Sequence, residues 1–298
     1  MNIFITGATG LIGKKLCQFL VHKHNLIVLT RSPSKAANLL PSGVSCVTDT
    51  DDVDFNELDA VINLAGEPIA SGRWSKEKKQ EIYSSRIKIT EQIVAAINTA
   101  TSPPKVFISG SAIGFYGRQP DNLSITEDFK DYHDEFSHRL CRDWEDTAFR
   151  AESSQTRVCI LRTGIVLSKS GGALAKMLPP FRFGVGGPIG SGSQMMSWIH
   201  IDDMIQAILY ILKHDEISGV INATAPNPVS NKQFSQALAR AISRPCLFTV
   251  PPFVLKLAYG EMSELLLYGQ CVVPKKLLDA GYRFRHDHIE GALSALNL

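Results

Sequence analysis

The stretch Thr6-Gly7-Ala8-Thr9-Gly10-Leu11-Ile12-Gly13 stands directly behind the apolar run Ile3-Phe4-Ile5. Its reading decides the fold. Glycines at 7, 10 and 13 separate a short strand from a helical pattern whose apolar face is Leu16, Phe19 and Leu20. Each glycine meets a different need of a dinucleotide loop. One allows a tight reversal off the strand, one lets backbone approach a pyrophosphate, and one lets helix and strand pack closely. The helix then offers free N–H groups and the positive end of its dipole to the phosphates. Gly7, Thr9, Gly10, Leu11, Ile12 and Gly13 are therefore expected to hold a dinucleotide.

Short apolar runs continue through the first half at Asn2–Thr6, Leu26–Thr30, Ser45–Thr48, Ala60–Leu64, Val106–Ser109 and Val158–Arg162. Runs apolar on both faces suit a parallel sheet covered by helices. Between the fourth and fifth runs, Ile82, Ile89, Ile93 and Ile97 recur at helical spacing, which predicts a crossover helix over Ser75–Ala100. The fold expected is α/β, a Rossmann-type doubly wound parallel sheet with a small, mostly helical C-terminal domain. The Rossmann domain is drawn over 1–167 plus about 200–225, and the small domain over about 168–199 plus 226–298. Gln119–Glu135 reads as a solvated connection. From Ser168 to Gly192 glycine is too dense for regular structure, which predicts a mobile loop near a ligand.

With 31 basic and 29 acidic residues the net charge is +2, which gives no electrostatic case for nucleic acid or an anionic membrane as partner. No apolar run approaches the ~20 residues that span a bilayer. The first strand starts at the N-terminus, so no leader is expected and a cytoplasmic location follows. The six cysteines are scattered, with no C-x-x-C, and read as reduced thiols. A metal site is not expected.

The residue after the second strand selects the cofactor. An acid there would hold the ribose hydroxyls of NAD; here the run is Leu29-Thr30-Arg31-Ser32. A guanidinium at this point clamps a 2′-phosphate, so the cofactor expected is NADP(H), held in part by Arg31 and Ser32. Leu64, Ala65 and Gly66 end the fourth strand with residues small enough for a cofactor to lie against backbone. Ser109 and Ser111 end the fifth with hydroxyls toward the crevice. Ser111 either bonds a substrate oxygen or caps the following turn.

Together the glycine loop, Asn63–Gly66, Ser109–Ala112 and Arg162-Thr163-Gly164 resemble an extended short-chain dehydrogenase/reductase, the class of nucleotide-sugar epimerases. Asn63–Ile69, Arg73-Trp74, Ser85-Arg86, Gly186–Gly192 and Trp198–Ile201 narrow the resemblance to atypical, YfcH-like epimerase-family proteins. Their C-terminal domain of unknown function is matched by Glu261–Gln270 and Leu278–Phe284. The resemblance spans essentially the whole chain. It implies a small-molecule substrate, with nucleotide sugars as the class, and a homodimer. It also places Glu81, Arg86, Cys141 and Arg162 at the cofactor.

One departure matters. The superfamily's chemistry rests on Tyr-x-x-x-Lys, whose ammonium lowers the phenol pKa from ~10 so that a proton moves with the hydride. None of the seven tyrosines here has lysine four residues on. Alignment on Trp144-Glu145 puts Ser137 at the tyrosine place and Cys141 at the lysine place. Two functional classes stay open. One is an NADP-dependent epimerase or oxidoreductase with an unusual proton donor, either Tyr116 or Glu81 with Arg86, and Ser111 assisting. The other is a non-catalytic NADPH-sensing regulatory protein.

Three further clusters have plain readings. Asp202 and Asp203 suit a helix N-cap and first turn rather than a metal site. His286-Asp287-His288 reads as surface. Pro180, Phe181, Phe183 and Trp198 line either a substrate pocket or the small domain's core.

Overall fold

The computed structural model describes residues 1–298. In its first half β1 (Asn2–Thr6), α1 (Leu11–Leu20), β2 (Asn25–Leu29), α2 (Pro33–Ala37), β3 (Val44–Val47), β4 (Ala60–Asn63), α3 (Lys76–Thr99) and β5 (Val106–Ala112) alternate. Then come β6 (Ser124–Ile125), α4 (Phe136–Phe149), β7 (Arg157–Thr163), β8 (Ile165–Leu167), α5 (Gly172–Arg182), β9 (Met195–Met196), β10 (Trp198–His200), α6 (Ile201–Lys213) and β11 (Gly219–Ala223). The C-terminal part holds β12 (Val229–Ser230), α7 (Asn231–Ala241), α8 (Pro252–Tyr259), α9 (Glu264–Leu267), β13 (Cys271–Val272), α10 (Lys275–Asp279) and α11 (Ile289–Ala295).

Seven strands form one parallel sheet in the order β11-β7-β5-β4-β1-β2-β3. The winding reverses between β1 and β4, and in such sheets the crevice at this switch point takes the ligand. Strand alternation divides the core. Ile3, Ile5, Ile62, Ile108 and Leu161 pack under α1 and α6. Phe4, Val61, Phe107, Val158 and Ile160 pack against Ile93, Val94 and Ile97 of α3 and Ala148 of α4. A third core gathers Leu167, Leu174, Leu178, Phe181 and Trp198 with α7 and α11. Phe181 and Trp198 thus belong to a core, whereas Phe183 is exposed.

The predicted strands and crossover helix form within one or two residues, or three at the end of β5, of their expected bounds. Ser75 caps α3, its Oγ accepting the Lys78 N–H at 3.1 Å. Two local expectations are corrected. The glycine-rich stretch contains a helix, α5, because its glycines sit at the ends. Gly171 is the N-cap, Gly172 opens the helix and Gly184 follows it, leaving Leu174, Leu178 and Phe181 to bury one face. The cap of α6 is His200, whose Nδ1 accepts the Asp202 N–H at 3.1 Å; both aspartates lie in the first helical turn.

The glycine loop is fixed by close approach. Gly7 has φ +70°, and a β-carbon there would lie 2.4 Å from the Leu64 carbonyl oxygen and 2.8 Å from the Ala65 nitrogen. At Gly13 a β-carbon would lie 2.4 Å from the Gly7 oxygen. The loop after β1, the loop after β4 and the first turn of α1 therefore occupy one tightly packed corner.

A second anchor lies between β5, α4 and β7. Arg162 grips Glu145 with two hydrogen bonds, Nε to Oε1 at 2.9 Å and Nη2 to Oε2 at 2.7 Å. Both side chains are almost fully buried. Ser111 Oγ donates to the same Oε1 at 2.6 Å, and the guanidinium lies 3.4 Å over the Phe115 ring. Satisfied this fully, a buried pair fixes geometry; broken, it leaves an uncompensated charge.

Two substitutions test these anchors. Gly7→Ala is expected to cost at least about 2 kcal/mol, from the left-handed backbone and the collision with the loop after β4. Unchanged stability in urea denaturation would contradict this. Glu145→Gln is expected to destabilise by about 3–5 kcal/mol. The Glu145→Gln/Arg162→Met double variant should recover much of that loss; equal losses in single and double variants would show that the ion pair is not the cause.

Candidate functional site

The carboxyl ends of β1, β2, β4 and β5 bring together most of the expected nucleotide contacts. Gly10 is the N-cap of α1, and no side chain bonds the first amides of the helix. No acidic residue stands in that turn. The free N–H groups and the dipole thus face the crevice unopposed, which suits a phosphate. Gly171 and Gly172 pack against Leu11, at about 3.4 and 2.9 Å from where their β-carbons would stand. The glycine-rich stretch therefore does reach the nucleotide corner.

The floor of the crevice is organised by Asn63, which is wholly buried. Its Oδ1 accepts from Thr6 Oγ1 at 2.6 Å, and its Nδ2 donates to Thr90 Oγ1 at 2.9 Å. Thr90 also accepts from Trp144 Nε1 at 2.9 Å. These bonds tie β1, β4, α3 and α4 directly beneath Leu64–Gly66, and Ser109 is paired beside Asn63. The segment after β4 is clamped by α3. Glu67 donates its N–H to Ser85 Oγ at 2.9 Å, and Arg86 Nη1 donates to the Glu67 carbonyl at 3.0 Å. A β-carbon on Gly66 would lie 2.8 Å from Arg86 Cζ. Arg86 is thus a clamp on the loop that carries Ala65 and Gly66.

Arg31 is exposed beyond β2 and makes no ion pair, so its guanidinium is available to a ligand. Ser32, next to it, is the N-cap of α2 and donates its N–H to Thr30 Oγ1 at 3.2 Å.

Four expected residues are placed differently. Glu81 points outward, with 57% of its side chain exposed, and pairs with Lys78 at 3.0 Å. It shares no ion pair with Arg86. Arg162 spends its Nε and Nη2 on Glu145 and stacks on Phe115. Tyr116 is fully buried; its hydroxyl donates to Asn222 Oδ1 at 2.7 Å, toward β11. Burial pushes its phenol above the ordinary range, and nearby Arg162 offsets only part of that. Such a phenol is a poorer acid than a free tyrosine. Ser111 has its proton committed to Glu145.

The wall where a proton donor would stand is formed by α4. A β-carbon on Gly114 would meet Ser137 Cβ at 3.1 Å and Cys141 Sγ at 3.8 Å, so both side chains face the end of β5. Burial, with the neighbouring Glu145 carboxylate, pushes the Cys141 thiol up to about 12. It is a neutral group at physiological pH and supplies no positive charge. Ser137 Oγ donates to Glu135 Oε1 at 2.5 Å.

Next to Ser137 lies a cleft lined by Trp74, Glu135, Phe136, Arg139, Glu261, Glu264 and Leu265. Trp74 and Phe136 meet edge to face, 5.0 Å between centroids. The C-terminal side is tied across it by Lys79 to Glu261 at 2.5 Å and by Arg73 Nη2 to the Leu257 carbonyl at 2.6 Å.

Sequence reasoning missed Asn63, Thr90 and Glu145 as organisers. Asn63 and Glu145 stand in the sequence only as parts of longer motifs. A buried carboxylate shows itself only once its partner, here 17 residues away, is known.

Residues 3–223 match the NAD dependent epimerase/dehydratase family, and residues 250–296 match a domain of unknown function, DUF1731. The epimerase family protein SDR39U1 homolog, chloroplastic, of Arabidopsis thaliana is 41% identical over 99% of this chain and 86% of its own length. Epimerase family protein YfhF of Bacillus subtilis is 38% identical over 99% and 98%. The crystal structure of human epimerase family protein SDR39U1 (isoform2) with NADPH superposes with a TM-score of 0.91 at 32% identity, covering 100% of this chain and 99% of that one. UDP-glucuronic acid 4-epimerase from Bacillus cereus shares the fold, with a TM-score of 0.77 at 19% identity. No helix is long and apolar enough to cross a membrane. The glycine corner, the clamped segment after β4 and these matches along the whole chain agree: the chain belongs to the NAD dependent epimerase/dehydratase family, in the branch that ends in DUF1731.

Proposed function

We propose that this chain binds NADP(H) across the carboxyl ends of β1, β2 and β4, and that it acts as an NADPH-responsive binding protein without hydride turnover. The pyrophosphate would rest on the free amides of Leu11, Ile12 and Gly13, with the Gly10 N–H held by the Gly7 carbonyl at 3.0 Å. Arg31 and Ser32 would take the 2′-phosphate, and Leu64–Gly66 would lie along the dinucleotide. The human relative with NADPH supports the choice of cofactor. When bound, the nicotinamide supplies hydride chemistry; whether that chemistry is used depends on the chain's own proton donors.

One observation carries the reading. Every hydroxyl, thiol or acid near the end of β5 is already engaged or neutral. Ser111 donates to Glu145, Tyr116 donates to Asn222, and Cys141 is a buried thiol. A hydride step at a carbon bearing oxygen needs a partner that exchanges a proton at that oxygen. A specific geometry favours a second reading. The Ser137–Glu135 pair opens on the Trp74–Phe136 cleft, where a carboxylate could take a proton through the serine hydroxyl. Under that reading the protein is an oxidoreductase or epimerase, with a nucleotide sugar as the substrate class suggested by the fold relatives.

Two measurements test the proposal. Arg31→Ala should weaken NADPH by about 10–100-fold, the worth of one charge-assisted contact, and leave NADH nearly unchanged in fluorescence titration. Equal losses would remove the 2′-phosphate clamp. Protein loaded with NADP+ or NADPH and mixed with carbonyls or nucleotide sugars should show no change at the nicotinamide absorbance band. A change that disappears in Glu135→Gln would overturn the non-turnover reading in favour of the second.

A further inference from the structure

Away from the nucleotide crevice, His200 at the end of β10, Asp202 in the first turn of α6 and His286 before α11 converge. One ligand atom from each lies within 4.8 Å of the other two. The imidazole rings of His200 and His286 stand 4.0 Å apart, centroid to centroid. His200 is 2% exposed, yet its Nε2 has no hydrogen-bond partner. Because Nδ1 accepts the Asp202 N–H, the neutral ring carries its proton on Nε2; ligation through Nε2 moves that proton to Nδ1 and opens the α6 cap bond. We propose that His200, Asp202 and His286 form a binding site for a divalent transition ion of the Zn2+ type.

The ligand types fit. Two imidazoles and one carboxylate, with a fourth position open to water, are a set that Zn2+ accepts. Tetrahedral Zn2+ at about 2.1 Å from each ligand places ligand atoms about 3.4 Å apart. The present spacing, up to 4.8 Å, would have to close by up to about 1.4 Å through side-chain rotation.

The site is also built from behind. Asp203 is buried, and its two carboxylate oxygens accept the N–H groups of Arg285 at 2.7 Å and His286 at 2.9 Å. Its carbonyl accepts from the Tyr282 hydroxyl at 3.0 Å. The chain carrying His286 is thereby locked onto the turn that carries Asp202, 84 positions earlier in sequence. Such outer contacts orient ligands in metal sites. At present Asp202 holds the Lys15 ammonium as counter-ion. An incoming divalent cation would have to displace this ammonium to take the carboxylate. Occupancy would pin the segment before α11 to α6 and β10.

Isothermal titration of the purified, chelator-treated full chain with ZnCl2 tests this. The expected result is one ion per chain at micromolar affinity. His286→Ala should weaken it by at least about 100-fold, since loss of an outer contact alone costs 10–100-fold. Lys15→Met should tighten it, because the competing ammonium is gone. Co2+ added to the wild type should give visible absorption of a site with nitrogen ligands, a readout that needs no variant to fold. Absence of stoichiometric Zn2+ binding, or binding unchanged in His286→Ala, would overturn the proposal. NADPH affinity is measured in parallel, so failure here is separable from failure of the nucleotide reading.

Discussion

The Leu64 carbonyl stands where a β-carbon on residue 7 would have to go, and the Gly7 carbonyl stands where one on residue 13 would go. This three-way backbone contact is what the rest of the crevice depends on. It sets the first turn of α1 against the switch point of the sheet. It also leaves the helix amides open, because Gly10 has no side chain to cap them. Asn63, Thr6 and Thr90 support the same corner from below by side-chain hydrogen bonds rather than by apolar packing. A buried network satisfied at each donor and acceptor defines one geometry, which a site for a rigid phosphate requires.

A different logic governs the neighbouring end of β5. There polar groups are turned inward and saturate one another. Glu145 accepts from Arg162 twice and from Ser111 once, Tyr116 reaches Asn222, and Asn222 Nδ2 in turn donates to the Val273 carbonyl at 3.0 Å. Groups that would carry proton transfer in a dehydrogenase thus hold the sheet to α4 and to the C-terminal region. Stability is gained where reactivity would need a free donor. This division, an open nucleotide cradle beside a closed reaction corner, is the physical basis of the binding-protein reading.

Much of this was legible in the sequence. Apolar runs and the Ile82–Ile97 spacing gave the sheet and α3, and the glycine spacing gave the cradle, because these signals are local and periodic. The loss of Tyr-x-x-x-Lys was visible from residue identities alone. Side-chain direction was not. Tyr116 reads as a candidate acid until the fold places Asn222, from β11, over its hydroxyl. Arg162 reads only as a cofactor contact in the sequence, and its hold on Glu145 shows once the fold places α4 beside β7. Glu81 and Arg86 sit five residues apart on one helix, yet one faces solvent and the other the loop after β4. The helix α5 is hidden because glycines crowd both its ends and mask the apolar spacing of Leu174, Leu178 and Phe181 between them. The His200–His286 proximity joins positions 86 apart, which no local pattern can indicate.

The central claim is that a pyridine nucleotide is received by the amides of the glycine loop and of the segment after β4. Hydrogen–deuterium exchange with and without NADPH reads those amides directly. The account predicts slowed exchange over residues 7–13 and 64–66 when NADPH is added, with α4 little changed. Unaltered exchange in both segments at saturating nucleotide, or protection confined to other parts of the chain, would contradict it.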